Sequence, residues 1–286
     1  MNDTFTETMS ASLQLRRRFR SIHLSGRRRL CVMAGALLCG CTPVIADPPG
    51  PPGAKQLLDQ VVAARRTSGF SARGRMLISR QGAEPRTVQF IVKGRQTTAG
   101  SDFLYFALYP VAEKGRAFVV HRDSKGAVSG FIREPDGKTA PLSAARQKQP
   151  LFGSDLTIDE LTDDFWTWPA PKITGQATVC RRECRIIETA SPKGSDSPAA
   201  LVRLWVSPET SLPLRIETYA AGGKLLKRTE CRNVVKSGGH YSMEKLTIES
   251  PLTGQQTLLD FSKGSRDIEV PAGDFTAEGI AKLLKE

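Results

Sequence analysis

Apolar and polar residues alternate with period two over much of this chain, and that alternation predicts a mainly β protein. It is clearest in residues 201–228, LVRLWVSPETSLPLRIETYAAGGKLLKR. Leu201 to Val206 read as one strand, and Ser207-Pro208-Glu209 opens a turn. Leu212 to Tyr219 read as a second strand, Gly222-Gly223 makes a tight turn, and Lys224 begins a third. Leu214, Ile216 and Thr218 fall on one face, and Arg215, Glu217 and Tyr219 on the other. Upstream, Phe70, Ala72, Gly74, Met76 and Ile78 alternate with polar residues, as do Val88, Phe90 and Val92. Phe103 to Tyr109 is apolar on both faces and should be covered on both sides. Phe118 to His121 and Ser129 to Arg133 read as shorter strands, followed by a Pro135-Asp136-Gly137 turn. Strands at this spacing predict a sheet that curls into a sandwich or barrel.

A 3.6-residue period appears only in short stretches. Lys55 to Arg66 is amphipathic, with Leu57, Leu58, Val61 and Val62 on one side. Thr157 with Glu160 is a capping box, so a short helix should begin near Ile158. Phe165-Trp166-Thr167-Trp168 follows it, and a hairpin is expected around Cys180 and Cys184. A last helix should run from about Ala277, with Glu278 in its first turn and Lys282 and Lys285 near its end, the order that suits the helix dipole.

The N-terminus has a different character. Residues 1–29 hold seven arginines, and an apolar run follows from Leu30 to about Cys41. That run is shorter than the ~20 residues a bilayer requires, and basic-then-short-apolar is the layout of a secretory signal. Leu38-Cys39-Gly40-Cys41 resembles a lipobox, whose cleavage leaves Cys41 as the lipidated N-terminus. Val44-Ile45-Ala46 is the alternative site, and cleavage there releases a soluble protein. The proline-rich stretch to Gly53 suits a semi-rigid tether. The expected organisation is a signal over 1–41 (or 1–46), a tether over 42–53, and one domain over 54–286.

The formal charge of +12 changes this picture little. The signal segment carries +5 of it, and the remainder is dispersed. A mildly basic surface suits anionic headgroups as well as plain solvation, and no basic helix or aromatic–basic strand argues for nucleic acid as a partner. Of six cysteines, Cys31 and Cys39 leave with the signal and Cys41 takes the lipid. Among the other three, a Cys180–Cys184 disulfide across the Arg181-Arg182-Glu183 loop is expected, with Cys184–Cys231 as its competitor. Cys-x₃-Cys has no second ligand pair, so no metal is expected. His121 and His240 belong to no nucleophile motif, and Asp159-Glu160 and Asp163-Asp164 sit where helix starts attract acids. No enzyme activity, catalytic residue or cofactor is predicted.

Three stretches carry a family resemblance. They are the Trp205 strand with its Ser207-Pro208 turn, the Leu212-Pro213-Leu214-Arg215 strand and the Gly223-Lys224-Leu225-Leu226-Lys227 strand; then Gly153 to Leu161; then Met243 to Leu246, Thr257 to Phe261 and Asp274 to Thr276. The chain resembles bacterial envelope proteins of the LolA/LolB-like superfamily, in the branch of outer-membrane lipoprotein-sorting-like domains. The resemblance implies a mainly β (α+β) fold: a strongly curved antiparallel sheet, an incomplete barrel, with helices covering its concave side. It implies a non-enzymatic, periplasm-facing lipoprotein that binds lipid or lipoprotein acyl chains. Its partners would be such a chain and, through the lipid anchor, the outer membrane; Thr42 after the cysteine, rather than Asp, favours that membrane. A soluble periplasmic protein is the alternative location. Burying acyl chains is worth ~0.8 kcal/mol per methylene. Phe90, Phe103, Phe106, Trp166 and Trp168 are candidate lining residues, and each is equally an ordinary core residue. The alternative function is an interaction subunit of an envelope transporter or assembly machine, its concavity filled by its own side chains.

Overall fold

The computed structural model describes residues 52–285 apart from 163–164 and 196. The expected signal, Cys41 and most of the proline-rich tether lie outside the described residues. Helix α1, Ala54–Arg65, comes first, as its apolar stripe predicts. Thirteen strands follow: β1 Gly69–Arg80, β2 Arg86–Thr97, β3 Gly100–Tyr109, β4 Ala117–Asp123, β5 Val128–Arg133, β6 Thr139–Pro141, β7 Lys172–Val179, β8 Arg182–Ala190, β9 Leu201–Ser207, β10 Leu212–Tyr219, β11 Leu225–Ser237, β12 His240–Ser250 and β13 Gln255–Arg266. Between β6 and β7 lies an insert with two single-turn helices, α2 Ala144–Gln147 and α3 Ile158–Leu161. Helix α4, Ala277–Leu283, ends the chain.

All thirteen strands form one curved, unclosed sheet in the order β6-β5-β4-β3-β2-β1-β13-β12-β11-β10-β9-β8-β7. Every pairing is antiparallel. Each strand lies beside its sequence neighbours, save that β6 and β7 stand at opposite edges and β1 pairs with β13 at a central seam. The sheet is therefore two meanders joined at the seam, and the two free edges, β6 and β7, are the strands that the insert connects.

Turn chemistry sets the meanders. Gly137, at φ 91°, lets the chain reverse between β5 and β6, where Glu134 N–H donates to Lys138 C=O at 2.8 Å. Gly222 and Gly223, at φ 85° and 81°, do the same between β10 and β11. The capping box forms, with Thr157 N–H donating to the Glu160 carboxylate at 3.0 Å. The Thr276 hydroxyl caps α4 by accepting from Gly279 N–H at 3.1 Å.

The hairpin at the cysteines differs from its expected form. Its loop is two residues, Cys180 and Arg181, both left-handed at φ 51° and 59°, with Val179 paired to Arg182. That register puts Cys184 opposite Ala177 rather than beside Cys180. Cys180, Cys184 and Cys231 are all unbonded.

Packing divides by face. β3 is covered on both sides, as its unbroken apolar run requires. Tyr105 and Ala107 belong to the main core, while Leu104 and Phe106 lie under Val270, Phe275 and Ile280 from the C-terminal segment. From β8 round to β1 the face opposite the main core is instead largely an ion-pair lattice, with buried Trp205 set among it beneath Arg215. Arg203 meets Glu188 at 2.6 Å, Arg228 meets Glu217 at 2.7 Å, and Arg215 meets Glu230 at 2.6 Å. Lys245 and Arg75 both approach Asp260, at 3.4 and 3.5 Å. Glu217 is only 4 % exposed and also accepts from the Tyr219 hydroxyl.

Candidate functional site

The helix-lined face of the sheet is built from cross-strand rows. One row is Phe70, Gly94, Phe103, Val120 and Gly130; the next is Ala72, Val92, Tyr105, Phe118 and Ile132; a third is Gly74, Phe90 and Ala107. Two glycines give aromatic rings room to lie on the sheet. A Cβ on Gly94 would collide with the Phe70 ring, and one on Gly74 with the Phe90 ring.

The insert plugs one end of this face. Leu151, Phe152 and Ile158 are almost wholly buried against Met76, Ile78, Val88, Phe90, Phe118 and Ile248. The Phe152 ring meets Phe118 edge-on, centroids 5.2 Å apart, and lies 6.1 Å from Phe90. Polar contacts fasten the plug. Arg86 donates to the Phe152 carbonyl. The Thr257 hydroxyl donates to the Asp155 carboxylate at 2.7 Å, and Asp155 N–H donates back to that hydroxyl at 3.0 Å. The Lys227 ammonium reaches both the Asp155 carbonyl and the Glu160 carboxylate, the latter at 2.6 Å. Glu160 thus caps its own helix and anchors the insert to β11.

A second covered patch lies further round. Leu57, Leu58 and Val61 of α1 pack with Phe165 and Trp168 on Ile187, Val202, Leu204 and Val206. The other end of α1 lies within electrostatic reach of β3, because Arg65 interacts with Tyr105. A twelve-residue helix is about 18 Å long, whereas β3 and β9 would stand about 33 Å apart in a flat sheet. The sheet is therefore curved towards α1.

Between plug and helix the apolar surface is only half covered. Phe70, Ala72, Phe103 and Phe261 are half-buried there. Phe70 and Phe103 are 6.4 Å apart, and Phe261 meets Phe90 edge-on at 6.0 Å. Arg65 stacks over the half-buried Trp166 at 4.6 Å. Its guanidinium is open to solvent yet ringed by protein, which lowers its pKa from the ordinary value. Burial raises the nearby Tyr105 phenol above its usual range. Two shallow grooves lined by described residues, one at Arg73, Gln89 and Asp260 and one at Thr139, Pro141 and Ala277, lie away from this face.

A family model described as "Uncharacterized protein" matches residues 100–282, more than half of the chain. The chain belongs to that family. No curated protein matches it. Among solved structures, it is similar to a DUF1329-family protein from Desulfovibrio piger, with TM-score 0.73 and 19% identity, covering 79% of this chain and 97% of that one. An outer membrane lipoprotein-sorting protein domain from Vibrio parahaemolyticus gives TM-score 0.70 at 18% identity, over 82% and 98%. A LolA superfamily protein from Nitrosomonas europaea gives 0.60 at 18%, over 79% and 98%. At these identities the likeness is one of fold.

The five expected lining residues separate. Phe103 and Trp166 border the half-covered surface, and Phe90 forms its floor under Phe152 and Phe261. Trp168 is buried beneath α1. Phe106 faces the other side: strand alternation sets it opposite Phe103 and Tyr105, and it is wholly buried under the C-terminal segment. Sequence reasoning missed Leu151 and Phe152, whose only signal is an apolar pair between Pro150 and Gly153 in a polar connector. It also missed Arg65, Tyr105, and the Lys227 and Thr257 latches, whose partners are distant in the chain.

Proposed function

We propose that this protein is a non-enzymatic envelope binding protein whose half-covered aromatic surface takes an acyl chain of a lipid or lipoprotein. One observation carries the reading. Phe70, Ala72, Phe103 and Phe261 present half-covered apolar area, with Trp166 on the neighbouring patch under α1, beside a small insert that polar latches hold shut. An acyl chain laid there extends the apolar core, at ~0.8 kcal/mol per methylene buried. The insert suits a lid, since its two helices are single turns held to the sheet by polar latches, and opening it would draw Leu151, Phe152 and Ile158 out of the core. The lipoprotein-sorting domain among the similar structures supports this class of ligand. In the expected context Cys41 carries the lipid anchor and the domain faces the periplasm, at the outer membrane.

Purified protein should bind and transfer a fluorescent acyl probe, and Trp166→Ala should weaken binding several-fold while lowering stability by about 1 kcal/mol. No transfer above background by the wild type would sink the carrier reading. Cys41→Ala should move the protein out of the membrane fraction or leave it as precursor; unchanged fractionation with Asp47 as the mature N-terminus refutes the anchor.

A second reading has its own support. Leu151, Phe152 and Ile158 already fill the deep end of the face. A face filled by its own chain suits an interaction subunit of an envelope transporter or assembly machine. Copurification of a protein partner, with no lipid extracted from the natively purified chain, would select it.

A further inference from the structure

Cys180, Cys184 and Cys231 converge in one apolar cluster with Val179, Trp205, Leu212 and Leu214. Cys180 stands in the β7–β8 turn and Cys231 in β11, with β9 and β10 between the two elements. In a flat sheet β8 and β11 would be about 14 Å apart. The Cys180 and Cys231 thiols nevertheless lie within interaction range of each other in this cluster, the Cys231 thiol donating to the Asn233 carbonyl at 3.3 Å. The turn therefore bends over Trp205, Leu212 and Leu214 to reach β11. Cys184 also lies within electrostatic reach of Cys180, but its thiol donates to the Arg182 carbonyl at 3.5 Å.

The three thiols also differ in access. Cys184 and Cys231 are buried, and Cys180 is half-exposed. Burial pushes the Cys184 thiol up to about 11 and the Cys231 thiol up to about 12, so neither is a thiolate at neutral pH. Cys180 alone is open to a reagent, and the Arg182 guanidinium lies within electrostatic reach of it. The turn holds two non-glycine residues in left-handed conformation, where glycine or asparagine would suit the backbone better. The backbone gives no reason for cysteine at this position. The partner across the cluster does.

We propose that Cys180 and Cys231 form a disulfide that staples the β7–β8 turn to β11 and fixes the curl of that end of the sheet, while Cys184 stays a buried thiol. The oxidant is a thiol–disulfide donor. The Cys180 thiolate attacks the donor disulfide, forming a mixed disulfide and expelling one donor thiolate. Cys231 loses its proton, attacks the Cys180 sulfur and expels the second. Two protein thiols lose two electrons and two protons, and the donor disulfide becomes two thiols. The bond closes a loop of roughly 50 residues, so it restricts the unfolded chain far more than a Cys180–Cys184 ring would.

The test equilibrates the full folded chain in an oxidising glutathione buffer, blocks free thiols and maps peptides without reduction. A Cys180–Cys231 cross-link should appear, with Cys184 labelled only after unfolding. Reduction should lower the melting temperature by roughly 10 °C. Cys184→Ser should keep both the cross-link and the shift, while Cys231→Ser should lose both and leave Cys180 open to labelling. A Cys180–Cys184 or Cys184–Cys231 cross-link, or three free thiols at equilibrium, overturns the proposal. Should Cys231→Ser fail to fold, the wild-type map decides alone.

Discussion

The two meanders of this sheet solve the problem of a second face in different ways. Strands β3 and β4 bury apolar side chains on both sides, with the insert and the aromatic rows on one and Val270, Phe275 and Ile280 on the other. Strands β8 to β13 bury one side and present charge over much of the other, row upon row of Arg203–Glu188, Glu217–Arg228, Arg215–Glu230 and Lys245–Asp260, with the Trp205 cluster at one end. The first arrangement gains stability from area removed from water, which is non-directional. The second gains little from each exposed pair and depends on geometry where a charge is buried. The difference teaches that the C-terminal segment is structural: it does for β3 and β4 what ion pairs do for the other half.

The sharpest way to break this contrast is Phe106→Ala. The ring is wholly buried under the C-terminal segment, so its loss should cost roughly 3–5 kcal/mol. Denaturant unfolding reads it as a lower midpoint, and a loss below about 1 kcal/mol would mean that the C-terminal cover is loose. Glu217→Ala tests the lattice. It strands Arg228 and the Tyr219 hydroxyl, and since Arg228 is well exposed, water recovers part of the loss. The expected cost is roughly 1–3 kcal/mol. A cost equal to that of Phe106→Ala would erase the distinction between the halves.

The smallest effect concerns an ionic cluster on the covered half. Asp102 lies 2.7 Å from His121 Nδ1 and 2.6 Å from Arg95 Nε. Burial, the largest influence, raises its pKa, but the hydrogen bonds and charges of His121 and Arg95 together bring it below the usual carboxylate value. A depressed carboxyl stabilises the fold fully above its unfolded pKa of about 3.9, and the contribution disappears as pH falls through the lower folded value. Asp102→Asn should therefore lower stability at pH 7 by about 1 kcal/mol and change it little near pH 2. Equal losses at both pH values would show that the contribution is not the ionised carboxylate.

Much of the fold was legible in the sequence. Alternation located the strands because each has one buried face, and the two-sided cover of β3 followed from its unbroken apolar run. The Thr157–Glu160 capping box placed one helix start, and the charge order of Glu278, Lys282 and Lys285 placed the last helix. Faces were less legible where register shifts intervene. A bulge between Pro213 and Arg215 moves Leu214 into the cysteine cluster while Ile216 packs under α1, although simple alternation puts them together. The site was read least well, because its parts are tertiary. Nothing local in Lys227 points to Glu160, nor in Thr257 to Asp155. Phe106 was misassigned because composition identifies an aromatic residue and only strand phase identifies its side. The two-residue cysteine turn was read as three because Cys180 and Arg181 lack the glycine that usually marks such a turn.

The seam between β1 and β13 has a consequence in time. The first strand made and the last strand made are neighbours at the centre of the sheet. As the chain emerges, β1 pairs with β2 and offers an open hydrogen-bonding edge that only residues 255–266 can close. Nearly the whole molecule must exist before its middle does. Folding of this kind is governed by a contact of very large sequence separation, and so is slow. Until that contact forms, the chain is two curved ribbons with an insert strung between them, and the face that the insert covers in the finished protein has no second wall.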